Sequence, residues 1–121
     1  MFDHIGLKVR NLDASIRFYG AALAPLGHVL CCRDNASAAF GPDGEPALWL
    51  LAGDGAPCAT HVALRAHDRT GVDAFHRGAL EAGGRENGRP GVRGDYGPTY
   101  YAAFVVDPDG NNVEAVCTAK A

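Results

Sequence analysis

The sequence predicts an α+β fold of two β-α-β-β-β modules that form a curved, mostly antiparallel sheet with the helices on its outer face. Three observations support this: an internal repeat, the same strand-then-helix order in each half, and a chain of 121 residues, long enough for one core but not for two independent domains. We expect a single domain, with module one at about 1–53, a linker at 54–59 and module two at about 60–121.

The repeat appears when the chain is compared with itself at an offset of 57 residues. Residues 4–7 (HIGL) then fall on 61–64 (HVAL), and Phe18 falls on Phe75. The matches keep one offset from strand through helix, which chance rarely does. Two repeats are too few for a solenoid and indicate a paired architecture.

The first strand of each half is marked by alternation. Apolar and polar side chains alternate in 2–9 and 60–66, so each strand has one face for a core. A tight turn at 107–111 (DPDGN) predicts a hairpin near the end of the chain. The remaining strands are expected at 27–33, 36–41, 46–52, 84–88, 99–106 and 112–118.

A helix follows the first strand of each half. Apolar residues at spacings of four, three and four predict a helix over 13–24, with Asn11 or Asp13 as its N-cap. In the second half, Thr70 and Asp73 form a possible capping box before a second apolar stripe.

Three side chains on different strands are candidate metal ligands. His4, His61 and Glu114 each alternate with the apolar residues that face the helices, so all three leave their strands on the opposite face. Two imidazoles and one carboxylate form a facial set that leaves coordination positions open, and Fe, Mn, Ni, Co or Zn would all accept it. Each residue alone would be an ordinary strand residue, but two His at equivalent repeat positions favour a metal site.

Aromatic residues near these positions are candidate substrate contacts. Trp49 is either a pocket wall on the face of His4 or a core aromatic. Tyr100 and Tyr101 must face opposite sides of their strand, so one of them can reach the metal site as a hydrogen-bond donor or acid. Tyr100 is therefore also a candidate catalytic residue.

Glycine is abundant, with 16 residues, and its clustering predicts a long, mobile loop over 83–98. This loop contains Arg89, Arg93 and Tyr96. Arg93 and Tyr96 are candidate substrate-binding residues, because a loop with cationic and aromatic side chains could close over an anionic or carbonyl-bearing substrate. The alternative is a solvated loop.

Composition limits the possible partners. The net charge of −3 and the scattered basic residues give no stripe for nucleic acid. No apolar run approaches the ~20 residues that cross a bilayer, and no signal peptide is evident. The four cysteines have no CxxC spacing and are interpreted as free thiols. We expect a cytoplasmic protein.

Three segments together resemble the vicinal oxygen chelate superfamily, which includes glyoxalase I, extradiol dioxygenases, fosfomycin transferases and bleomycin-resistance proteins. Residues 3–9 (DHIGLKV) look like its first strand, 12–19 (LDASIRFY) like its first helix, and 104–114 (FVVDPDGNNVE) like its last hairpin. The resemblance implies a single glyoxalase/dioxygenase-like domain, a metal at the floor of a curved sheet, and a homodimer whose sites form between chains.

Two positions depart from particular members of that superfamily. Trp49 occupies the slot of the fourth ligand of glyoxalase I, and an indole cannot bind a metal, which argues against glyoxalase I activity. Gly6 replaces a Thr that is usual in fosfomycin transferases. The two-His, one-Glu set itself resembles the ligands of the dioxygenases and of the fosfomycin transferases.

The resemblance implies a metal-dependent enzyme that chelates a small, oxygen-rich substrate through two neighbouring oxygens, of lyase, isomerase or dioxygenase type. The alternative is a non-catalytic protein of bleomycin-resistance type that binds or sequesters a small molecule. The intact ligand set favours the enzyme, because a pure binder does not need those ligands.

Overall fold

The computed structural model describes residues 1–53 and 59–120. Most of the expected linker, together with Cys58, lies outside the described residues. Module one contains β1 (Ile5–Val9), α1 (Leu12–Leu23), β2 (Val29–Arg33), β3 (Ser37–Gly41) and β4 (Leu48–Ala52). Module two contains β5 (His61–Arg65), α2 (Arg69–Glu81), β6 (Arg85–Val92), β7 (Tyr101–Val106) and β8 (Asn112–Cys117).

The strands form two four-stranded mixed sheets with equivalent topology. Their orders are β1-β4-β3-β2 and β5-β8-β7-β6, and in each sheet the first strand pairs in parallel with the last while the other pairs are antiparallel. The predicted fold class of two β-α-β-β-β modules is confirmed. The two sheets are separate, and neither closes on itself.

The ends of the helices are set by short-range hydrogen bonds. The Asn11 side chain caps α1 by accepting from the Ala14 N–H at 3.0 Å, as one of the two expected caps. The capping box expected at the start of α2 is wrong: Asp68 caps this helix and accepts from the Gly71 N–H and from the Thr70 hydroxyl. Thr70 can be mistaken for the cap because both residue types favour that position.

Half of the expected mobile loop over 83–98 is a strand, since β6 runs from Arg85 to Val92, beyond the expected 84–88, and pairs with β7. Its glycines have a packing role. A Cβ built on Gly88 would lie 2.8 Å from the Phe104 ring, and a Cβ on Gly84 would lie 2.5 Å from Val105. The glycine-rich composition therefore reflects close approach of side chains to the strand.

The core lies between the helices and one face of each sheet. Leu7, Leu50, Val62 and Val113 belong to one buried cluster that spans both modules. The helices also contact each other closely, since a Cβ on Gly78 of α2 would lie 2.8 Å from the Ala21 carbonyl oxygen of α1, and so glycine is required at this crossing. On the opposite sheet faces, residues such as Lys8, Leu51, His61, Ala63 and Arg65 are exposed.

A buried hydrogen-bond network joins the last hairpin to α1. The Tyr19 hydroxyl donates to Asp107 at 2.5 Å, and the same carboxylate accepts from the backbone N–H groups of Asp109 and Asn111 and from the Asn111 amide, each at 2.8 Å. Asp109 accepts from the Arg10 N–H at 2.9 Å. Burial and the nearby Asp107 carboxylate raise the pKa of Tyr19, so its phenol stays protonated and remains a donor. These bonds fix module two against module one.

We expect Asp107→Ala to lower the free energy of unfolding by about 3 kcal/mol or more, because it leaves several buried donors without an acceptor. Urea unfolding followed by circular dichroism measures this change. The matched control is Asp13→Asn, which removes a surface ion pair with Arg33 and should cost less than about 1 kcal/mol. Equal losses in the two variants would contradict a clamping role for Asp107.

Candidate functional site

The site lies on the face of the second sheet that no helix covers. Strands β5 and β8 are parallel neighbours, with His61 opposite Asn112 and Ala63 opposite Glu114. Side chains alternate along a strand, and Val62 and Val113 face the core, so His61 and Glu114 share the other face. The alternation predicted from the sequence is therefore present on both strands.

Glu114 is the centre of this site. The residue is only 3% exposed although it leaves the sheet on the uncovered face. Its Oε1 lies 3.2 Å from His61 Nε2, and its Oε2 accepts a hydrogen bond from the Tyr100 hydroxyl. A buried carboxylate needs such partners, because desolvation penalises the charged form.

The orientation of His61 is fixed by its other ring nitrogen. Nδ1 lies 3.1 Å from the Asn112 carbonyl oxygen, which can only accept, so Nδ1 carries the proton. If the ring is neutral, Nε2 then carries a lone pair that faces the Glu114 carboxylate. Two acceptors 3.2 Å apart repel each other unless a proton or a metal cation lies between them.

Aromatic side chains surround this pair. A cavity of about 470 Å³ is lined by His61, Tyr96, Tyr100, Phe104, Asn112 and Glu114. The Phe104 ring stacks on His61 with 6.3 Å between ring centroids, and Tyr96 meets Tyr100 edge to face at 5.2 Å. Tyr96 is 70% exposed, so its ring lies at the open rim of the cavity. The volume is in the range of small-molecule sites.

The predicted site residues of module one, His4 and Trp49, do not line this cavity. His4 lines a different cavity, beside Leu23 and Val62, and its Nδ1 lies 2.7 Å from Asp3. Within residues 1–53 and 59–120, no group of three or more His, Cys, Asp or Glu side chains could hold a metal ion. Convergence of His4, His61 and Glu114 therefore does not occur within one chain.

Trp49 occupies, in the first sheet, the position that Glu114 occupies in the second. Trp49 is opposite Gly6 on β1, as Glu114 is opposite Ala63 on β5. The two residues therefore lie at equivalent positions of the two sheets. Trp49 is half-buried on the uncovered face of its own sheet and does not line the cavity at His61.

The two adjacent tyrosines separate as expected, with Tyr100 in the site. The Tyr101 hydroxyl instead donates to Asp73 of α2 at 2.6 Å, with the Arg69 guanidinium 4.9 Å from its ring centroid. Tyr101 therefore faces the helix, and its expected role as a substrate contact is wrong. Arg93 lies beside the cavity, with its guanidinium 5.4 Å from the centroid of the Phe104 ring.

Phe104 was not expected as a site residue, although its ring contacts both His61 and Arg93. The sequence contained a usable signal. Phe104 is opposite Glu114 in the sheet, and Val105 belongs to the core, so alternation along β7 places Phe104 on the face of Glu114.

The site combines an imidazole lone pair, a buried carboxylate and a phenol in an aromatic-lined, open cavity. On paired β-α-β-β-β modules, this arrangement defines a class of proteins whose sites bind small molecules and can bind metals. The chain belongs to the glyoxalase/bleomycin resistance protein/dioxygenase superfamily, whose family model matches residues 1–115.

Solved structures agree with this assignment. A glyoxalase/bleomycin resistance protein from Albidiferax ferrireducens T118 is 26% identical, with a TM-score of 0.81 over 96% of this chain and 97% of that one. A glyoxalase/bleomycin resistance protein/dioxygenase family enzyme from Burkholderia phytofirmans PsJN is similar in fold, with a TM-score of 0.74, 15% identity, and coverage of 97% of this chain and 98% of that one. No curated protein matches the sequence. No helix within the described part of the chain is long and apolar enough to span a membrane.

The hydrogen bond to Glu114, together with burial and the charge of the carboxylate, raises the pKa of Tyr100 to about 12. We expect Glu114→Gln to lower the pKa of Tyr100 toward about 10, the ordinary value for tyrosine. The near-ultraviolet absorbance of tyrosinate during an alkaline titration measures this pKa, and the Tyr100→Phe variant identifies the transition that belongs to Tyr100.

The same shift gives a pH dependence of stability. The folded pKa lies above the unfolded one, so the stabilisation from this hydrogen bond is complete below about pH 10 and is lost as the pH rises through about 12. A Tyr100 transition that does not move in Glu114→Gln would contradict the coupling.

Proposed function

We propose that this protein is a metal-dependent enzyme in which His61 and Glu114 of one chain and His4 of a second copy bind a divalent metal. The substrate is a small molecule with two neighbouring oxygens, and the reaction is of lyase, isomerase or dioxygenase type. The protein acts as a cytoplasmic homodimer with two such sites.

One observation carries the proposal: His61 Nε2 lies 3.2 Å from Glu114 Oε1. Two ligands at right angles, each about 2.1 Å from a metal, are about 3 Å apart. The spacing of these atoms therefore fits neighbouring ligands of one cation. A cation would also remove the repulsion between two acceptors at this distance.

The surroundings of the pair support metal binding. The hydrogen bond from His61 Nδ1 to the Asn112 carbonyl is the kind of contact that orients metal-binding imidazoles. Tyr100 holds Glu114 Oε2 and leaves Oε1 available. We assign Tyr100 to orienting the carboxylate, because a phenol with a pKa of about 12 is a weak acid at neutral pH.

We assign the third ligand to a second copy of the chain. His61 and Glu114 lie on an uncovered sheet face, and the described part of the chain offers no third His, Cys, Asp or Glu there. His4 immediately precedes β1, and Trp49 lies on β4 of the first sheet, whose face away from α1 is also uncovered. In a two-fold dimer each such sheet can cover the second sheet of its partner, so that both sites are completed equally.

The chemistry follows from the open coordination positions. A divalent metal held there would act as a Lewis acid on two chelated oxygens of the substrate. Tyr96, Tyr100 and Phe104 give an aromatic wall against which the bound molecule would lie. This arrangement suits reactions that pass through an enolate or use bound dioxygen.

A second candidate is non-catalytic binding of a small molecule, as in bleomycin-resistance proteins. The observation that favours it is the completed set of contacts on Glu114, whose two oxygens already have His61 and Tyr100 as partners. In this case the His61–Glu114 pair is an ion pair in the floor of an aromatic pocket, and no metal is required.

Metal content separates the two candidates. We expect protein purified without added metal, or after incubation with Fe, Mn, Ni, Co or Zn, to hold about one divalent ion per chain. His61→Ala and Glu114→Gln should each lose at least ~90% of it, consistent with loss of one ligand in three. His76→Ala, which removes a histidine paired with Glu86, is the matched control and should retain the metal. Protein that takes up none of these metals would leave only the binding function.

Mixed dimers test whether the site is shared. His4→Ala and His61→Ala homodimers each lack one ligand at both sites. Co-expressed at equal levels, they form mixed dimers in about half of all pairs, and each mixed dimer has one intact site if the ligands come from different chains. We expect metal binding to return to about a quarter of the wild-type level. No recovery would show that the ligands belong to one chain.

A further inference from the structure

We propose that Arg93 binds an anionic head group, a carboxylate or a phosphate, of the substrate, while the opposite end of the same molecule lies at His61 and Glu114. The inference rests on the proposed function and specifies its substrate class: a planar, anionic molecule with neighbouring oxygens at the far end from its charge.

Arg93 is held in a defined orientation by strand β6. Its Nη1 donates to the Gly91 carbonyl at 2.9 Å and its Nη2 to the Arg89 carbonyl at 2.7 Å. A Cβ built on Gly88 would lie 3.2 Å from Nη2, and one on Gly91 would lie 3.2 Å from Nη1. The two glycines therefore form a cradle in which the guanidinium lies close to the strand.

The charge of Arg93 is not neutralised by the chain. Among the ion pairs of the described residues, none includes Arg93. The two carbonyl bonds use two of its five N–H donors. Neutral carbonyls orient the guanidinium but leave its charge available, and the planar fork suits a carboxylate or phosphate.

The strand register indicates the span that the substrate would bridge. Glu114 is opposite Phe104 on the next strand, and Phe104 is opposite Gly88 on the strand after that. Two strand spacings separate the backbone of Glu114 from that of Gly88, which lies beside the Arg93 guanidinium, by about 10 Å. This span suits one aromatic ring with oxygens at one end and an acidic group at the other.

The turn after β6 connects Arg93 to the rest of the cavity. The Arg93 N–H donates to the Tyr100 carbonyl at 2.7 Å, and the Tyr96 N–H donates to the Arg93 carbonyl at 3.0 Å. The cation and the two tyrosines are therefore positioned by the same backbone hydrogen bonds. A planar ring between Arg93 and Glu114 would lie against Tyr100 and Phe104, which both line the cavity.

The test uses the full-length protein loaded with metal and two probes of equal shape: 3,4-dihydroxybenzoate, which is anionic, and 3,4-dihydroxybenzamide, which is neutral. Binding is followed by calorimetry for the wild type, Arg93→Gln and Arg93→Lys. We expect Arg93→Gln to weaken binding of the dihydroxybenzoate by about ten- to a hundredfold, as for loss of a charge-assisted hydrogen bond. The affinity for the dihydroxybenzamide should change by less than about threefold. The affinity of Arg93→Lys for the dihydroxybenzoate should lie between those of the wild type and Arg93→Gln, because lysine keeps the charge and loses the planar fork.

Arg89→Gln is the matched control, since it removes the same charge from the same strand and keeps the backbone carbonyl that holds Arg93. This variant should leave the affinity for both probes unchanged. Equal weakening of both probes, equal effects of Arg89→Gln and Arg93→Gln, or no preference of the wild type for the benzoate would overturn the proposal.

Metal content separates this proposal from the proposed function. Arg93→Gln should keep the metal content of the wild type. If the wild type takes up no metal, the proposed function fails. The affinities of the metal-free protein for the two probes then test Arg93 alone, and we expect the same preference for the anionic probe.

Discussion

The packing of the two helices against each other determines what the rest of the molecule can do. The hydrogen bonds that Asp107 accepts from Tyr19 and from its own hairpin fix the modules in this arrangement, and the close approach of Gly78 to Ala21 permits it. Because each helix covers one face of its sheet, the opposite face is left uncovered in both modules. The site on the second sheet therefore faces outward.

The electrostatics of the site follow from one buried carboxylate. Glu114 lies on the uncovered face but is enclosed by its neighbours, and it has a phenol on one oxygen and an imidazole lone pair near the other. The second contact is favourable only when a positive charge lies between the two atoms. Arg93 adds a positive charge on this face about two strand spacings away, beside the Phe104 ring.

Much of the fold and half of the site could be predicted because they depend on local periodicity. Alternation along β5 and β8 is set by backbone geometry, so the faces of His61 and Glu114 were determined by their neighbours alone. The sequence predicts β6 only at 84–88, and its extension to Val92 was missed because glycine marks close packing as well as loops. The placement of His4 was beyond sequence reasoning, since it depends on how the two modules pack.

Anomalous diffraction from crystals grown with Co²⁺ tests whether a metal ion is shared between two chains. We expect one strong anomalous peak per chain, bonded to His61 Nε2 and Glu114 Oε1 at about 2.1 Å, with the third protein ligand from His4 of the partner subunit. A site with no peak, or a peak whose protein ligands all come from one chain, would contradict it.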